Sequence, residues 1–505
     1  ICRKYEMRMQ GPNCLGIINT QTHINASFAA ANPSPGNIAF VSQSGALGST
    51  ILNWALQNYI GFTSFISLGN EADLNAADFL DALAEDEPTR VIGLYIEGVK
   101  EGEHFIEAAK KVTAKRPIIA LKAGTTEVGI RAVSSHTGSL AGSDIAFSAT
   151  FKKAGILRVN TLEELFNLVL AFEAQPLPRE KKILIITNGG GPGILATDAC
   201  EKMGLELPSL EYEIREELRK VMPPHASLNN PVDVLGDADE NRYRLALDAG
   251  LKSEKIDGLI VILTPQAMTP SEKIAEVVVE TRKSSDKPIV TAFMGLNDNS
   301  VPIKMLRKNK IPNYIFPESA AYALKAMHDY SLIKSLHEEV PTPFEVDDAK
   351  VREILAKVRQ EERLSLTIGE SIKLAEACRI SMPKAAIARD GKEAGEVADS
   401  IGYPVVMKVV SPEILHKTDV GGVVLNVNTR EEVERNYNRI IRKIRVSMPE
   451  ANILGVLIQK MAPSGKEVIV GAVRDRQFGP LIMFGLGGIY VNFLRDVSYR
   501  LSPLT

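Results

Sequence analysis

Short apolar runs, each closed by a small-residue turn and followed by an amphipathic stretch, recur through the first two-thirds of the chain. Asn37–Val41 predicts a buried strand, Ser42–Gly48 a turn, and the following periodicity a helix over Ser49–Tyr59. Strands are predicted again at Thr63–Ser67, Val91–Ile96 and Pro117–Leu121, separated by helical patterns at Ala76–Ala84 and Gly102–Ala114. Continuous apolar strands alternating with helices imply a parallel sheet covered on both faces, with its chemistry at the strand C-termini. Residues 180–335 repeat the theme: a strand at Lys182–Thr187, a turn at Asn188–Gly193, a helix at Ile194–Met203, then strands at Gly258–Leu263 and Pro288–Phe293. The shared order of strand, small-residue turn and helix predicts two similar α/β domains.

Beyond residue 338 the pattern changes. A charged, proline-containing stretch reads as a solvated linker. Helices are then predicted at Ser371–Cys378 and Ala394–Ile401, with strands at Tyr403–Val410, Val423–Val427, Gly455–Gln459 and Glu467–Val473. Such strands around two helices predict an α+β nucleotide-binding module.

At 505 residues, several domains are expected. A formal charge of −3 gives no electrostatic case for nucleic acid or an anionic membrane, so any phosphate binding must be local. No apolar run is long enough to span a bilayer. The four cysteines form no C-x-x-C pair, which argues against zinc and points to a reducing cytoplasm. The opening at Ile1, without methionine and almost at once inside a motif, and the stop at Thr505 read as a piece of a longer protein.

The candidate chemistry centres on Ala132–Gly142, where His136 stands among Ser134, Ser135, Thr137, Gly138 and Ser139. A neutral imidazole is a nucleophile able to carry a phosphoryl group, whereas a surface loop with a helix-capping histidine is the plainer alternative. Two strand-to-helix turns, Ser42-Gln43-Ser44-Gly45 and the glycine run containing Gly190, Gly191 and Gly193, offer free N–H groups at helix N-termini and are anion-site candidates; glycine also serves tight packing. Glu97, at a strand end, is the candidate to orient the histidine ring, or else it caps the next segment. Asn13 is a ligand candidate or a turn residue. Lys408 on an apolar strand, with Gly421 and Gly422 downstream, suggests a grip on nucleotide phosphates. His416, in the same loop, is a candidate phosphoryl relay, or a cap or surface histidine.

Taken together, these motifs resemble the NDP-forming acyl-CoA synthetases, specifically the fused ADP-forming acetate–CoA ligases related to succinyl-CoA synthetase. The ordered series runs through G-P-N-C-L-G at 11–16, V-S-Q-S-G-A-L-G at 41–48, Y-I-E-G at 95–98 and S-S-H-T-G-S-L-A-G at 134–142. It continues with N-G-G-G-P-G at 188–193, N-P-V-D at 230–233, G-Y-P-V-V-M-K at 402–408, H-K-T-D-V-G-G-V at 416–423 and F-G-P-L-I-M-F-G-L-G-G at 478–488. The resemblance implies a multidomain α/β fold: two flavodoxin-like, succinyl-CoA-synthetase-like parallel-sheet domains followed by an α+β ATP-grasp domain. The expected boundaries are 1–33 for the end of a CoA-binding Rossmann-like domain, 34–176 and 177–337 for the two α/β domains, 338–364 for a linker and 365–505 for the ATP-grasp domain. It further implies that acyl-CoA, phosphate and ADP interconvert with carboxylic acid, CoA and ATP through an acyl phosphate and a phosphohistidine at His136. In that reading Glu97 orients the ring and the two turns receive the phosphate. Asn13 lies by CoA and the acyl group, Lys408 and the Gly421–Gly422 turn hold ATP, and Mg2+ accompanies it. A cytoplasmic homo-oligomer, a dimer, is implied, with no nucleic-acid or membrane partner. Asn492 stands where the family usually has glutamate, and the acidic metal-binding residues are expected beyond Thr505. The alternative from another class is a non-catalytic CoA-sensing region of a protein acetyltransferase.

Overall fold

The computed structural model describes residues 2–30, 32–131, 143–336, 342–414, 416–487 and 497–504. They fall into two compact units, residues 1–339 with 468–504, and residues 340–467.

In the first unit, seven strands run in the order β2-β1-β4-β3-β5-β6-β7: β1 (Gly16–Asn19), β2 (Ile24–Ser27), β3 (Ser34–Ser42), β4 (Gly61–Ser67), β5 (Val91–Ile96), β6 (Ile118–Lys122) and β7 (Leu157–Val159). Strands β4-β3-β5-β6-β7 are parallel, and the β1–β2 hairpin adds an antiparallel edge through β1 on β4. Residues 16–27, which the sequence pattern groups with a preceding domain, are thus paired into this sheet. The apolar runs are long because both sheet faces are covered: Phe40 is fully buried, stacked at 5.7 Å on Phe65 and 6.0 Å on Phe166. Burial of one such side chain contributes about 1.5–3 kcal/mol.

A second, four-stranded parallel sheet follows in the order β11-β10-β8-β9, with β8 (Ile183–Thr187), β9 (Val232–Asp233), β10 (Gly258–Leu263) and β11 (Ile289–Phe293). The helix Pro317–Ser335 packs on both Leu162–Ala174 and Gly190–Lys202, so one hydrophobic cluster runs from Phe40 to Ile260. The parallel strands of both sheets follow the doubly wound 2-1-3 order. That order opens a crevice where the winding reverses, between the C-termini of β3 and β5 and between those of β8 and β10.

Both helices that leave these crevices begin earlier than the periodicity predicts. The first spans Gly45–Gln57 rather than starting at Ser49, because Ser44 caps it by accepting from the Leu47 N–H at 3.3 Å. The other spans Gly190–Lys202 rather than starting at Ile194: Pro192 sits in its first turn, where a missing N–H costs nothing. The glycines of the second turn therefore lie within the helix start.

A three-stranded meander, β16 (Val468–Asp475), β17 (Gly479–Leu486) and β18 (Val497–Leu501), belongs to the same unit. Phe478 meets Phe147 edge-on at 4.9 Å, Gln477 Nε2 donates to Val99 O at 2.8 Å, and Gly102 leaves no room for a Cβ against Gln477 O.

The second unit holds an antiparallel sheet in the order β12-β15-β13-β14, from β12 (Ala385–Ala388), β13 (Val405–Val410), β14 (Val423–Val427) and β15 (Gly455–Lys460). The helices Gly391–Ile401 and Arg430–Ser447 cover one face, burying Val409, Val433, Ile440 and Ile458.

Candidate functional site

The crevice between β3 and β5 collects four loops. The buried Ser42 hydroxyl donates to Ser44 O at 2.9 Å and accepts from Ser44 N at 3.1 Å, which shapes the turn into the helix. The first N–H groups after Ser44 have no intrahelical acceptor, so this turn presents donors and the positive end of a helix dipole. Across the crevice Glu97 is half-buried. The Tyr95 hydroxyl donates to its carboxylate, and burial followed by the Glu97 charge pushes the Tyr95 phenol up to about 12.

Gln43, grouped by sequence with the phosphate donors, has another use here. Its main-chain N–H donates to Tyr95 O at 3.2 Å, and its carboxamide binds the backbone of Glu97 and Gly98. Behind it lies Glu71, 5% exposed, which accepts from the Gln43 amide and from Ala76 N at 3.0 Å. Burial pushes the Glu71 carboxyl up to about 7 against the pull of those two hydrogen bonds and the Lys100 charge. Lys100 donates to Asn70 O and Glu71 O at 2.9 and 2.5 Å. Asn13 is exposed, has a left-handed backbone (φ 58°) and donates from Nδ2 to Asn70 Oδ1 at 3.3 Å, so it is a turn residue and also borders this cluster. At the neighbouring strand end, Lys122 is buried with its ammonium 4.6 Å from the Phe147 ring centre, and burial pushes it down to about 8.

The crevice between β8 and β10 repeats the turn atom for atom. The Thr187 hydroxyl donates to Gly189 O at 2.9 Å and accepts from Gly189 N at 3.0 Å. A Cβ on Gly191 would meet nothing within 4 Å, and one on Gly190 only Asp233 at 4.0 Å, whereas one on Gly193 would press on Thr187 at 3.0 Å. Packing therefore explains Gly193 but not Gly190 or Gly191, over which space is open. Around Gly45 the nearest atom to a Cβ is Leu15 N at 3.5 Å, an ordinary contact.

His136 and the rest of 132–142 lie outside the described residues, as does Asn492. In the second unit Lys408 is half-buried on β13, donating to Gln459 Oε1 at 2.9 Å; burial, then the Lys417 charge, hold it below the usual lysine range. Gly421 (φ 68°) and Gly422 close a turn in which their N–H groups donate to Thr418 O and Lys417 O at 3.0 and 2.7 Å. A Cβ on Gly421 would strike Lys443. His416 is exposed beside this turn. The structure thus gathers Ser42–Gly45, Glu97 and Asn13 in one cluster and Lys408, Gly421, Gly422 and His416 in the other unit. Glu71 and Lys122 escape sequence reading, and Tyr95 is read there only as part of the Y-I-E-G motif, without its hydrogen bond to Glu97. Among the described residues no group of three or more His, Cys, Asp or Glu is arranged to hold a metal ion.

Residues 35–172 match the succinyl-CoA ligase like flavodoxin domain, 183–335 the ligase-CoA domain and 357–505 the ATP-grasp domain. An ADP-forming acetate–CoA ligase of Archaeoglobus fulgidus is 42% identical over 508 residues, covering 100% of this chain and 72% of the relative. An ADP-forming 4-hydroxybutyrate–CoA ligase of Nitrosopumilus maritimus is 40% identical over 510 residues, covering 100% and 73%. Among solved structures, an acetyl-coenzyme A synthetase of Ca. Korarchaeum cryptofilum in complex with phosphate and ADP superposes with a TM-score of 0.64 at 36% identity, covering 67% of this chain and 75% of that one.

Proposed function

The chain belongs to the family of ADP-forming acetate–CoA ligases, and from that premise we propose that it interconverts acyl-CoA, phosphate and ADP with a carboxylic acid, CoA and ATP, acetate or another short acid being the substrate. The observation that carries the reading is the crevice between β3 and β5, where a carboxylate and a helix N-terminus meet at the reversal of winding.

In the first step a phosphate oxygen attacks the thioester carbon, the C–S bond breaks, and CoA leaves as a thiolate that takes up a proton. The second step is attack of a His136 ring nitrogen on phosphorus; the P–O bond to the acyl group breaks and the carboxylate departs with the electron pair. In the third, a terminal oxygen of ADP attacks phosphorus and the P–N bond breaks, returning its pair to the imidazole. Glu97 accepts the N–H on the other ring nitrogen, fixing the tautomer and stabilising positive charge on the ring during transfer. Gly45, Gly190 and Gly191 supply neutral main-chain donors, which hold a phosphoryl group without trapping it, while Ser44, its N–H held by the Ser42 hydroxyl, caps the helix that presents them. Ser42 and Gly193 shape these turns, and Asn13 borders the acyl and CoA end.

Lys408 holds the nucleotide phosphates beside the Gly421–Gly422 turn, and exposed His416 is a second carrier candidate. Mg2+ belongs to the reading as the companion of the nucleotide; among the described residues no group of three or more His, Cys, Asp or Glu is arranged to hold it. A cytoplasmic homodimer completes it; four free cysteines and no helix, among the described residues, long and apolar enough to cross a membrane are in keeping with that setting. The test is acetyl-CoA-dependent formation of ATP from ADP and phosphate, with stoichiometric release of CoA thiol. ATP formation without thiol release, or neither, sinks the proposal.

A further inference from the structure

We propose that Gln43 is a positioning residue for Glu97: its carboxamide fixes the main chain of Glu97 and Gly98 against the helix turn at Ser44, and Glu71 braces that carboxamide from behind. The proposal rests on the preceding assignment of Glu97 as the partner of His136.

A primary amide has two donor hydrogens and two acceptor lone pairs. In Gln43 all four are committed. Oε1 accepts from Glu97 N and from Gly98 N, the latter at 3.1 Å, while Nε2 donates to Gly98 O at 2.8 Å and to the Glu71 carboxylate. Flipping the amide would set its NH2 against two N–H groups and its oxygen against a carbonyl and a carboxylate, so one orientation is fixed. The side chain is thus unavailable to a phosphate. It instead ties the loop after β5 to the residue preceding the helix cap.

The second crevice holds the same device. Asn188 stands where Gln43 does, between the end of the first-wound strand and the helix cap. Its Oδ1 accepts from Thr264 N at 2.8 Å and Thr264 Oγ1 at 3.0 Å, and its Nδ2 donates to Thr264 O at 2.8 Å. A carboxamide clamp across the reversal point is therefore a repeated feature of the two sheets, and what differs is its cargo. In the second crevice the clamped residue is a threonine whose hydroxyl is directed to the clamp. In the first it is Glu97, a carboxylate with acceptor sites to spare beyond the one Tyr95 fills. Glu71 has no described counterpart behind Asn188, and it backs the clamp at the crevice that carries the carboxylate.

A residue acting through Glu97 differs measurably from one that merely supports the fold. Phosphoryl transfer from ATP to His136 would be timed in single turnover in the full chain for wild type, Gln43→Ala, Glu97→Gln and the double variant. A displacement of about 1 Å in a reacting group costs about 10²-fold, so Gln43→Ala is expected to slow transfer by about that factor. The double variant is expected to be no slower than Glu97→Gln, since the two act as a unit. Multiplied losses in the double variant, or wild-type transfer in Gln43→Ala, overturn the proposal. If Gln43→Ala does not fold, Glu71→Gln takes its place in the same cycle, with a smaller loss that Glu97→Gln also absorbs. A wild type that takes no label from ATP removes the function itself and this proposal with it; label in wild type that is indifferent to Gln43 removes the positioning role alone.

Discussion

Replacing Glu71 by glutamine removes a buried charge while keeping shape, and its effect on stability has a calculable pH dependence. Folding raises the Glu71 carboxyl from 4.5 to about 7, chiefly by burial. At about 1.36 kcal/mol for each tenfold change in proton affinity, ionised Glu71 costs about 3 kcal/mol of stability. The sign follows from proton counting. Between 4.5 and 7 the folded state holds the proton more tightly, so stability falls as pH rises, and the penalty is absent below 4.5 and complete above 7. The groups facing Glu71 are Gln43, the Ala76 N–H, Lys100 and Asp78. Glutamine keeps the Ala76 bond but opposes its own NH2 to that of Gln43, losing about 1 kcal/mol. The variant is therefore expected to be about 2 kcal/mol more stable than wild type at pH 8 and equal or slightly less stable at pH 4.5. Trp54 is the sole tryptophan, on the helix Gly45–Gln57 of the same unit and 4.5 Å from Phe166, so its emission during urea unfolding reads this unit. A difference between variant and wild type that is flat from pH 4.5 to 8, or a wild type that is the more stable at pH 8, refutes the argument.

The glycines divide into two groups by what surrounds them. Gly191→Ala adds a methyl in open space within a helix, so stability is expected to hold or rise by up to about 1 kcal/mol while phosphoryl transfer slows. Gly421→Ala, at φ 68° and against Lys443, is expected to lower stability by more than 1 kcal/mol; paired denaturation curves and transfer rates check both. Lys408→Met replaces a half-buried cation by an apolar chain of similar length. It is expected to preserve the fold and raise the KM for ATP at least tenfold, leaving the KM for acetyl-CoA unchanged, as steady-state kinetics would read.

Most strands of both parallel sheets are legible because burial on two faces demands continuous apolar runs such as Ile183–Thr187 and Gly258–Leu263, whereas β7 and β9, three and two residues long, are too short to show one. The helix starts at Gly45 and Gly190 are not legible. Glycine lacks the hydrophobic signal that periodicity needs, and what holds these turns is local: one capping hydrogen bond to the Ser44 hydroxyl in the first, and the two hydrogen bonds between Thr187 and Gly189 in the second. The β1–β2 hairpin escaped because four-residue strands with exposed polar positions carry too short an alternation to register. The same holds within the crevice. Ser42–Gly45 and Glu97 stand out as motif residues at strand ends, but Glu71 sits in a polar loop where an acid is ordinarily solvated, and only tertiary folding buries it. Gln43 was visible as part of the turn, yet its use depends on Gly98, fifty-five positions away.

The most direct test of the whole account is incubation of the full chain with [γ-32P]ATP and Mg2+, followed by acid and base treatment of the labelled protein. An acid-labile, base-stable label is expected in wild type and in His416→Ala, and none in His136→Ala. Wild type that takes no label contradicts the account, and label that survives in His136→Ala but vanishes in His416→Ala moves the carrier from the Glu97 crevice to the loop beside Lys408.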